Sequence, residues 1–127
     1  MRVRKATTLK DAELVRNIRN TCWEWMTGHT RWISPAEQIA WWESEDKDLW
    51  IFNEVAYGLL TEREGKTWIS LGILPEHRGK GLGTEIYRRF PGVYAEIRAD
   101  NVASRRAAEQ AGYELIADGE EVVVMRG

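Results

Sequence analysis

The sequence contains one cysteine, two histidines and three prolines among its 127 residues, and it has no long apolar run. The single cysteine, Cys22, cannot form an internal disulfide, and two histidines are too few to suggest a clustered metal site. No apolar stretch approaches the roughly 20 residues of a membrane-spanning helix, and the first residues lack the apolar core of a signal peptide. We therefore expect a cytoplasmic protein with no bound metal and no membrane partner.

The charge of the chain is close to balanced, with 18 basic and 20 acidic residues and a formal net charge of −2. Such a balance lacks the basic surface typical of nucleic-acid binding, so we expect no nucleic-acid partner. A length of 127 residues is enough for one hydrophobic core and too short for two. No repeat, low-complexity tract or linker interrupts the sequence, which predicts one domain over residues 1–127.

The most informative stretch is an apolar run followed by a glycine-rich turn and a helical pattern. The apolar run at residues 68–74 has the length of a strand and ends at Pro75. Gly79, Gly81 and Gly83 follow at alternate positions. Glycine accepts positive φ and carries no Cβ, so several backbone N–H groups of such a turn can point at one anion. The stretch predicts either a phosphate cradle or a plain glycine turn between a strand and a helix.

Arg78 and Lys80 stand among these glycines and would place positive charge beside an anion. Two common phosphate motifs do not fit the spacing. A P-loop needs a lysine followed by serine or threonine after its second glycine, and the turn has none. A dinucleotide fingerprint needs a third glycine at the position that Thr84 occupies.

Periodicity and turn residues predict the other elements. The first helix carries Arg16, Arg19 and Asn20 on its polar face and should end at Gly28. The remaining expectations are an edge strand at residues 1–6, a helix capped by Ser34, strands at 49–55, 56–61 and 93–99, a helix at 102–111 capped by Asn101 and ended by Gly112, and a final strand at 120–125 beside the strand of Glu96.

Two stretches resemble the signatures of one enzyme family. The sequence Arg78-x-x-Gly81-x-Gly83, placed after a strand, closely resembles the acetyl-CoA loop of the Gcn5-related N-acetyltransferases, the GNAT family. The helix from Asn101 to Gly112, followed by the aromatic Tyr113, resembles the second signature of that family. The resemblance implies a single GNAT-like N-acetyltransferase domain of mixed α/β (α+β) class, with a mostly antiparallel sheet of roughly six to seven strands and about four helices.

The resemblance also implies acetyl-CoA (coenzyme A) as the cofactor. Its pantetheine arm would pair with the strand near Leu71, and its pyrophosphate would lie against the backbone N–H groups of the glycine turn. The residues expected to bind it are Leu71, Gly72, Ile73, Arg78, Gly79, Lys80, Gly81, Leu82, Gly83, Thr84, Asn101, Ser104 and Arg105.

Acyl transfer to an amine requires that the amine lose a proton, because a lysine-like amine titrates near about 10.4 and is charged at neutral pH. Glu96 is the candidate base, since it lies mid-strand on a polar face, and family members that modify amines often carry a glutamate at this place. A structural ion pair of Glu96 with Arg98 or Arg105 is an alternative interpretation. Water relays from Glu45 or Glu54 are another.

The sequence departs from the family where the leaving thiol is protonated. The family tyrosine that lies seven residues after the helix-capping asparagine is replaced by Ala108. Tyr94, on the same strand face as Glu96, is the catalytic candidate in its place, and Tyr87 is the alternative. The substrate carbonyl would be polarised by a backbone N–H near Ile73 or Leu74.

In the family, the segment between the first two helices lines the acceptor pocket, which implies Trp25, His29, Arg31 and Trp32 as acceptor-binding residues. The tryptophans are equally suited to the core. The expected activity is transfer of an acetyl group to a primary amine of a small molecule, such as an amino sugar or nucleotide-linked sugar, or of a protein N-terminus. A non-catalytic acyl-CoA-binding sensor or interaction module is the alternative, and we expect a monomer or homodimer.

Overall fold

The computed structural model describes residues 1–27 and 32–127, which form one seven-stranded sheet and four α-helices. The elements are β1 (Val3–Lys5), α1 (Leu9–Asn20), α2 (Pro35–Ser44), β2 (Asp48–Phe52), β3 (Ala56–Arg63), β4 (Lys66–Ile73), α3 (Leu82–Arg88), β5 (Tyr94–Arg98), α4 (Val102–Gln110), β6 (Glu114–Asp118) and β7 (Val122–Arg126). The strand order is β1-β2-β3-β4-β5-β7-β6, and the expected mixed fold is confirmed.

The sheet is antiparallel at every junction except the one between β4 and β5. These two strands run parallel and share a single register pair, Trp68 with Tyr94. Both strands continue in the same direction without further pairing, so the sheet opens between them. The opening creates a gap in the middle of an otherwise hydrogen-bonded sheet.

The helices cover the two faces of the sheet. α1 and α2 pack on one face, where Val15 and Ile18 join Ile51 and Tyr57 in a buried cluster. α3 and α4 pack on the other face over a cluster that consists of Ile69, Tyr87, Val93, Ala95, Ile97, Ala108, Tyr113, Val123 and Met125. Among the described residues, no helix is both long and apolar enough to cross a bilayer.

α1 ends earlier than the sequence pattern predicts. The helix stops at Asn20, and a 3₁₀ turn over Trp23–Trp25 follows, so the expected continuation towards Gly28 is wrong. The hydroxyl of Thr21 donates to the Ile18 carbonyl at 2.6 Å, and this side-chain bond occupies an acceptor in the last turn. Apolar side chains continue at helical spacing through the turn, which is why the pattern resembles one longer helix. Gly28 itself lies outside the described residues.

The termini of α4 agree with the sequence. The Asn101 side chain accepts a hydrogen bond from the Ser104 N–H at 3.3 Å, which confirms the predicted cap. Gly112 has a φ of 95°, and the N–H of Tyr113 donates to the Ala108 carbonyl at 2.9 Å. The side chain of Tyr113 then enters the core, where its hydroxyl donates to the Phe90 carbonyl at 2.6 Å.

Candidate active site

The gap between β4 and β5 opens into a cleft with a volume of about 1000 Å³. On one face of the sheet the cleft is bounded by the glycine turn, α3 and α4, and on the other by α1 and the 3₁₀ turn that follows it. Both faces meet at the gap, where β4 contributes its backbone edge and β5 contributes Glu96. The cleft therefore has two arms joined through the sheet.

The exposed edge of β4 offers backbone groups to the cleft. The N–H of Leu74 donates to the Val55 carbonyl at 2.9 Å, so that group belongs to the sheet and not to the cleft. Hydrogen bonding alternates along an antiparallel strand, which directs the N–H groups of Leu71 and Ile73 the opposite way. Of the two amides expected to polarise the substrate carbonyl, only that of Ile73 faces the gap. Arg78 Nε donates to the Ile73 carbonyl at 2.9 Å and closes the end of this edge.

The glycine turn has the geometry of an anion cradle. Gly79 and Gly81 have φ values of 75° and 82°, and a Cβ placed on either would meet no atom within 4 Å. Gly81 caps α3 with no side-chain hydrogen bond, and the first helical bond runs from the Glu85 N–H to the Gly81 carbonyl at 3.2 Å. The preceding N–H groups, those of Leu82 to Thr84, therefore have no partner inside the helix. The open space and the free donors fit a diphosphate.

Three of the expected cofactor residues also shape the scaffold. A Cβ on Gly83 would lie 3.4 Å from the Ala107 Cβ, which is a van der Waals contact, so α4 packs directly against this glycine of α3. A Cβ on Gly72 would lie 2.7 Å from the Tyr57 Cε1, so any larger residue at this position would clash with the core. Thr84 is buried, and its hydroxyl donates to Gln110 Oε1 at 3.1 Å.

The α4 side of the cleft differs in part from the sequence expectation. Asn101 and Ser104 lie in the lining of the cleft. Arg105 lies outside the lining, and its Nη1 donates to the Ala99 carbonyl at 3.0 Å, which secures the turn between β5 and α4. Lys80 is exposed and also lies outside the lining. Arg106, which sequence reasoning missed, contributes the cation of this helix to the cleft.

Glu96 lies in the lining with its side chain 30% exposed, so it is accessible from the cleft. Its Oε2 lies 3.6 Å from Arg63 Nη2. The sequence also suggested an ion pair of Glu96 with Arg98, but Arg98 pairs with Asp100 at 3.2 Å. The candidate water relays lie outside the lining, since Glu54 pairs with Arg4 at 2.8 Å and Glu45 is exposed. Of the two described carboxylates in the lining, Asp100 pairs with Arg98, and Glu96 lies on β5 beside the gap.

The two candidate tyrosines have different surroundings. Tyr94 packs on Trp68 with ring centroids 5.4 Å apart and lies outside the lining of the cleft. Tyr87 lies in the lining, and its hydroxyl is 2.8 Å from Ser104 Oγ. Burial raises the pKa of Tyr87 to about 12, so the hydroxyl keeps its proton at neutral pH. Ala108 is fully buried in the same cluster as Tyr87.

The α1 arm of the cleft contains part of the expected acceptor set. Trp25 lies in the lining and is 44% exposed, whereas Trp32 is 57% exposed and lies outside the lining. His29 and Arg31 lie outside the described residues. Sequence reasoning did not assign Cys22, Trp41, Tyr57 or Arg19 to this arm, although all four line it.

One signal could have identified the α1 contribution. Val15, Arg19 and Cys22 follow each other at spacings of four and three, which in the sequence indicates one stripe of a helix, and all three line the cleft although α1 ends at Asn20. The amphipathic pattern assigned Arg19 to the polar face, but a long cationic side chain at the border of two faces can turn towards either. Within the described residues, no group of three histidine, cysteine or acidic side chains could hold a metal ion.

Comparison with known proteins places the chain in a family. A family model described as the acetyltransferase (GNAT) family matches residues 12–113. No curated protein sequence matches the chain. An N-acetyltransferase structure from Staphylococcus aureus Mu50 superposes with a TM-score of 0.79 at 15% identity, covering 98% of this chain and 95% of that one.

Two other structures are similar over nearly the whole chain. A ribosomal-protein-alanine N-acetyltransferase from Brucella melitensis has a TM-score of 0.74 at 18% identity, with 98% of both chains covered. A phosphinothricin acetyltransferase from Sinorhizobium meliloti, solved with acetyl-CoA, has a TM-score of 0.74 at 17% identity and covers 98% of this chain and 85% of that one. These identities are low and show the shared fold. With the family model matching most of the sequence, the chain belongs to the GNAT acetyltransferase family.

Proposed function

We propose that this protein is an acetyl-CoA-dependent N-acetyltransferase that transfers an acetyl group to a primary amine of a small molecule by direct attack. The observation that supports this most strongly is the course of the cleft. It begins at the glycine turn, passes the free backbone edge of β4 and reaches Glu96 through the gap in the sheet. A thioester held along the first arm would thus meet an amine held in the second.

The residues that would hold the cofactor fit its chemistry. The turn from Gly79 to Thr84 offers backbone N–H groups and open space to the pyrophosphate. The backbone edge at Leu71 and the N–H of Ile73 face the gap and could pair with the amides of the pantetheine arm, while Arg78 occupies the Ile73 carbonyl. Asn101 and Ser104 border the same arm from α4. When bound, acetyl-CoA supplies an acetyl group activated as a thioester, and the Ile73 N–H is positioned to donate to its carbonyl oxygen.

Glu96 takes the proton that an ammonium acceptor must lose. Its carboxylate lies at the gap between the arms, and Arg63 at 3.6 Å balances its charge without enclosing it, because both side chains remain partly exposed. Members of the family that modify amines often carry a glutamate at this place, which supports the same assignment. The amine nitrogen would then attack the thioester carbon, and the carbon–sulfur bond would break to release coenzyme A. The nitrogen loses its second proton in this step, which balances the proton that the departing thiolate takes up.

Direct attack is favoured over an acetyl-cysteine intermediate by the state of Cys22. The thiol lies in the acceptor arm, but burial raises its pKa. Its Sγ–H donates to the Ile18 carbonyl in the last turn of α1 at 3.3 Å. A protonated thiol held in this way is a poor nucleophile, because the thiolate is the reactive form.

The leaving thiolate receives its proton from the Tyr87 and Ser104 hydroxyl pair in this proposal. Ala108 removes the usual tyrosine from α4, and Tyr87 packs in the same cluster with its hydroxyl at 2.8 Å from Ser104. A thiol titrates near about 8.5, so the leaving group needs only modest help. Because the thiolate leaves with little help from a general acid, the reaction can proceed without the family tyrosine.

A second function, binding of acyl-CoA without turnover, is favoured by the absence of a hydroxyl at Ala108. Release of free thiol from acetyl-CoA, followed with a chromogenic disulfide over a panel of primary amines, separates the two. Mass spectrometry of the acceptor checks that the acetyl group reaches nitrogen. Amine-dependent thiol release with one acetyl group gained per thiol supports the enzyme. Acetyl-CoA binding without thiol release from any amine, including an alanine-terminated peptide and an amino sugar, would support the binding module.

A further inference from the structure

Arg19 in the acceptor arm carries a buried donor with no partner. Its Nε atom is inaccessible to solvent and makes no hydrogen bond to any atom of the described chain. The residue lies in the lining of the cleft. Buried polar atoms are almost always hydrogen-bonded, and a charged donor left without an acceptor is especially unfavourable. Arg19 as a whole is half-buried and lines the cleft, so an anion bound there could pair with the guanidinium once the side chain turns Nε towards it.

Among the described residues no carboxylate pairs with Arg19, because the two that line the cleft, Glu96 and Asp100, pair with other arginines. On this side of the sheet, Val15 of α1, Cys22 just beyond α1 and Tyr57 of β3 form part of one buried cluster, and all three line the cleft with Arg19. Arg78 adds a second positive charge near Cys22, since the charges of both arginines act to lower the pKa of that thiol against the larger effect of burial. The local field is therefore positive, and the aromatic and aliphatic walls leave it poorly screened.

Arg19 and Glu96 lie on the same side of the sheet. Ala95 and Ile97 point into the core beneath α3 and α4, so Glu96 between them faces the α1 side. The cofactor cradle, by contrast, lies at α3 and α4. A small molecule in the α1 arm would meet a cation at Arg19 and a carboxylate at Glu96.

We propose that Arg19 binds a carboxylate of the acceptor, so that the acceptor is an amino acid or an amino-acid-like molecule whose amine is directed to Glu96. This inference rests on the proposed acetyltransferase function. A planar guanidinium matches a carboxylate with paired hydrogen bonds, whereas an amine alone would be repelled from it. Leu59, Met26 and Trp41 in the same arm favour an apolar or aromatic side chain on that molecule.

The test compares matched acceptors that differ only in the carboxylate. Phenylalanine, phenylalaninamide and phenethylamine form one set, and leucine, leucinamide and isoamylamine form another. Binding is measured by titration calorimetry with and without coenzyme A, and turnover by thiol release. The variants are Arg19→Met, which removes the charge, Arg19→Lys, which keeps it, and the control Lys10→Met, an exposed lysine on the same helix.

The proposal predicts that the wild-type protein binds at least one of the two acids about 10- to 100-fold more tightly than its amide and its amine. Arg19→Met should remove this preference, Arg19→Lys should restore part of it, and Lys10→Met should leave it intact. Acetyl-CoA affinity should be unchanged in all three variants. Arg19→Met should also melt at a higher temperature than the wild type without ligand, because it removes the unpartnered charge.

Equal binding of acids, amides and amines by the wild type would overturn the assignment, as would binding of none of them. A loss of acetyl-CoA affinity in Arg19→Met would overturn it as well, since Arg19 would then serve the cofactor. Failure of the proposed function has a different signature, which is that the wild type releases no thiol from acetyl-CoA with any amine, whether or not it binds acetyl-CoA. In that case the carboxylate preference measured without cofactor still decides the role of Arg19.

Discussion

The hydroxyl of Tyr87 lies 2.8 Å from the hydroxyl of Ser104 and connects α3 to α4 at the wall of the cleft. Tyr87→Phe removes this donor while it keeps the buried ring. We expect kcat to fall by about 10- to 100-fold near neutral pH, less than a full general acid is worth, because a thiolate leaves tolerably without a proton. The loss should shrink above about pH 8.5, where the thiolate is stable.

Tyr94→Phe decides between the two tyrosines in the same assay. Tyr94 packs on Trp68 outside the lining, so we expect its kcat to stay within about twofold of the wild type. A large fall in kcat for Tyr94→Phe, with no fall for Tyr87→Phe, would show that Tyr94 is the proton donor. Acetyl-CoA affinity, measured alongside, separates a catalytic effect from a binding effect.

Glu96→Gln tests the base. Removing the carboxylate should lower kcat/KM by about 10²- to 10⁴-fold near neutral pH, and the deficit should narrow as the pH rises because the free amine then forms without help. Arg63→Gln is the matched control, since it breaks the 3.6 Å pair and leaves the carboxylate in place. It should retain most of the activity.

If Glu96 had only a structural role, the activities and melting temperatures of Glu96→Gln and Arg63→Gln would change together. Both variants would then lower the melting temperature alike and alter the rate alike, with no dependence on pH. The pair is partly exposed, with side chains 51% and 30% accessible, so its contribution to stability should be at most about 1 kcal/mol.

Asp11 makes stability depend on pH. Its Oδ1 lies 2.7 Å from Arg4 Nη2, and the hydrogen bond from Arg4 and the N–H groups of Thr7 and Thr8 lower the pKa of the carboxyl from 3.8 to about 2. Because the pKa of Asp11 is lower in the folded state than in the unfolded state, the ionised carboxylate stabilises the fold at pH values above 3.8. This stabilisation is lost as the pH falls towards about 2, where the folded protein also takes up the proton. Asp11→Asn should therefore lower the free energy of unfolding by roughly 2 kcal/mol near neutral pH and by much less near about pH 2.5.

Urea denaturation of Asp11→Asn at both pH values provides the measurement. Glu13→Gln on the same helix is the control, because Glu13 is exposed and its partner among the described residues is Arg16, three residues along. It should change the stability by no more than about 0.5 kcal/mol. An equal deficit for Asp11→Asn at the two pH values would contradict the ion-pair explanation.

The sequence predicted the elements whose signals are local. The strand before Pro75, the glycine turn, the Asn101 cap and the Gly112 stop each depend on residues within one turn of one another, and each is found where expected. The strand bounds differ by one to three residues, as for β5, expected at 93–99 and observed at Tyr94–Arg98, and for β2, expected at 49–55 and observed at Asp48–Phe52. Both family signatures lie in these elements, so the family could be identified as well.

The parts that sequence reasoning missed depend on contacts between distant elements. Arg63 meets Glu96 because β3 and β5 flank the same strand, and no pattern in either segment indicates the pair. The capping box of Thr8 and Asp11 was also missed, because Asp replaces the more familiar Glu at its third position. Arg19 was assigned to the polar face, since only the tertiary structure shows that this border of α1 faces the cleft.

Calorimetric titration of acetyl-CoA into the wild type, Gly81→Trp and Gly65→Trp tests whether the glycine turn binds acetyl-CoA. Both glycines have positive φ, 82° and 75°, and both have open space around a Cβ, but Gly65 lies in the turn between β3 and β4. Their backbone strain is therefore matched, and only Gly81 lies in the cradle.

If the glycine turn holds acetyl-CoA, the wild type and Gly65→Trp should bind it with dissociation constants of order micromolar, and Gly81→Trp should bind it at least about 100-fold more weakly. Circular dichroism of both variants checks that each is folded. No binding by the wild type, or equal binding by the two folded variants, would contradict the claim that the glycine turn holds acetyl-CoA.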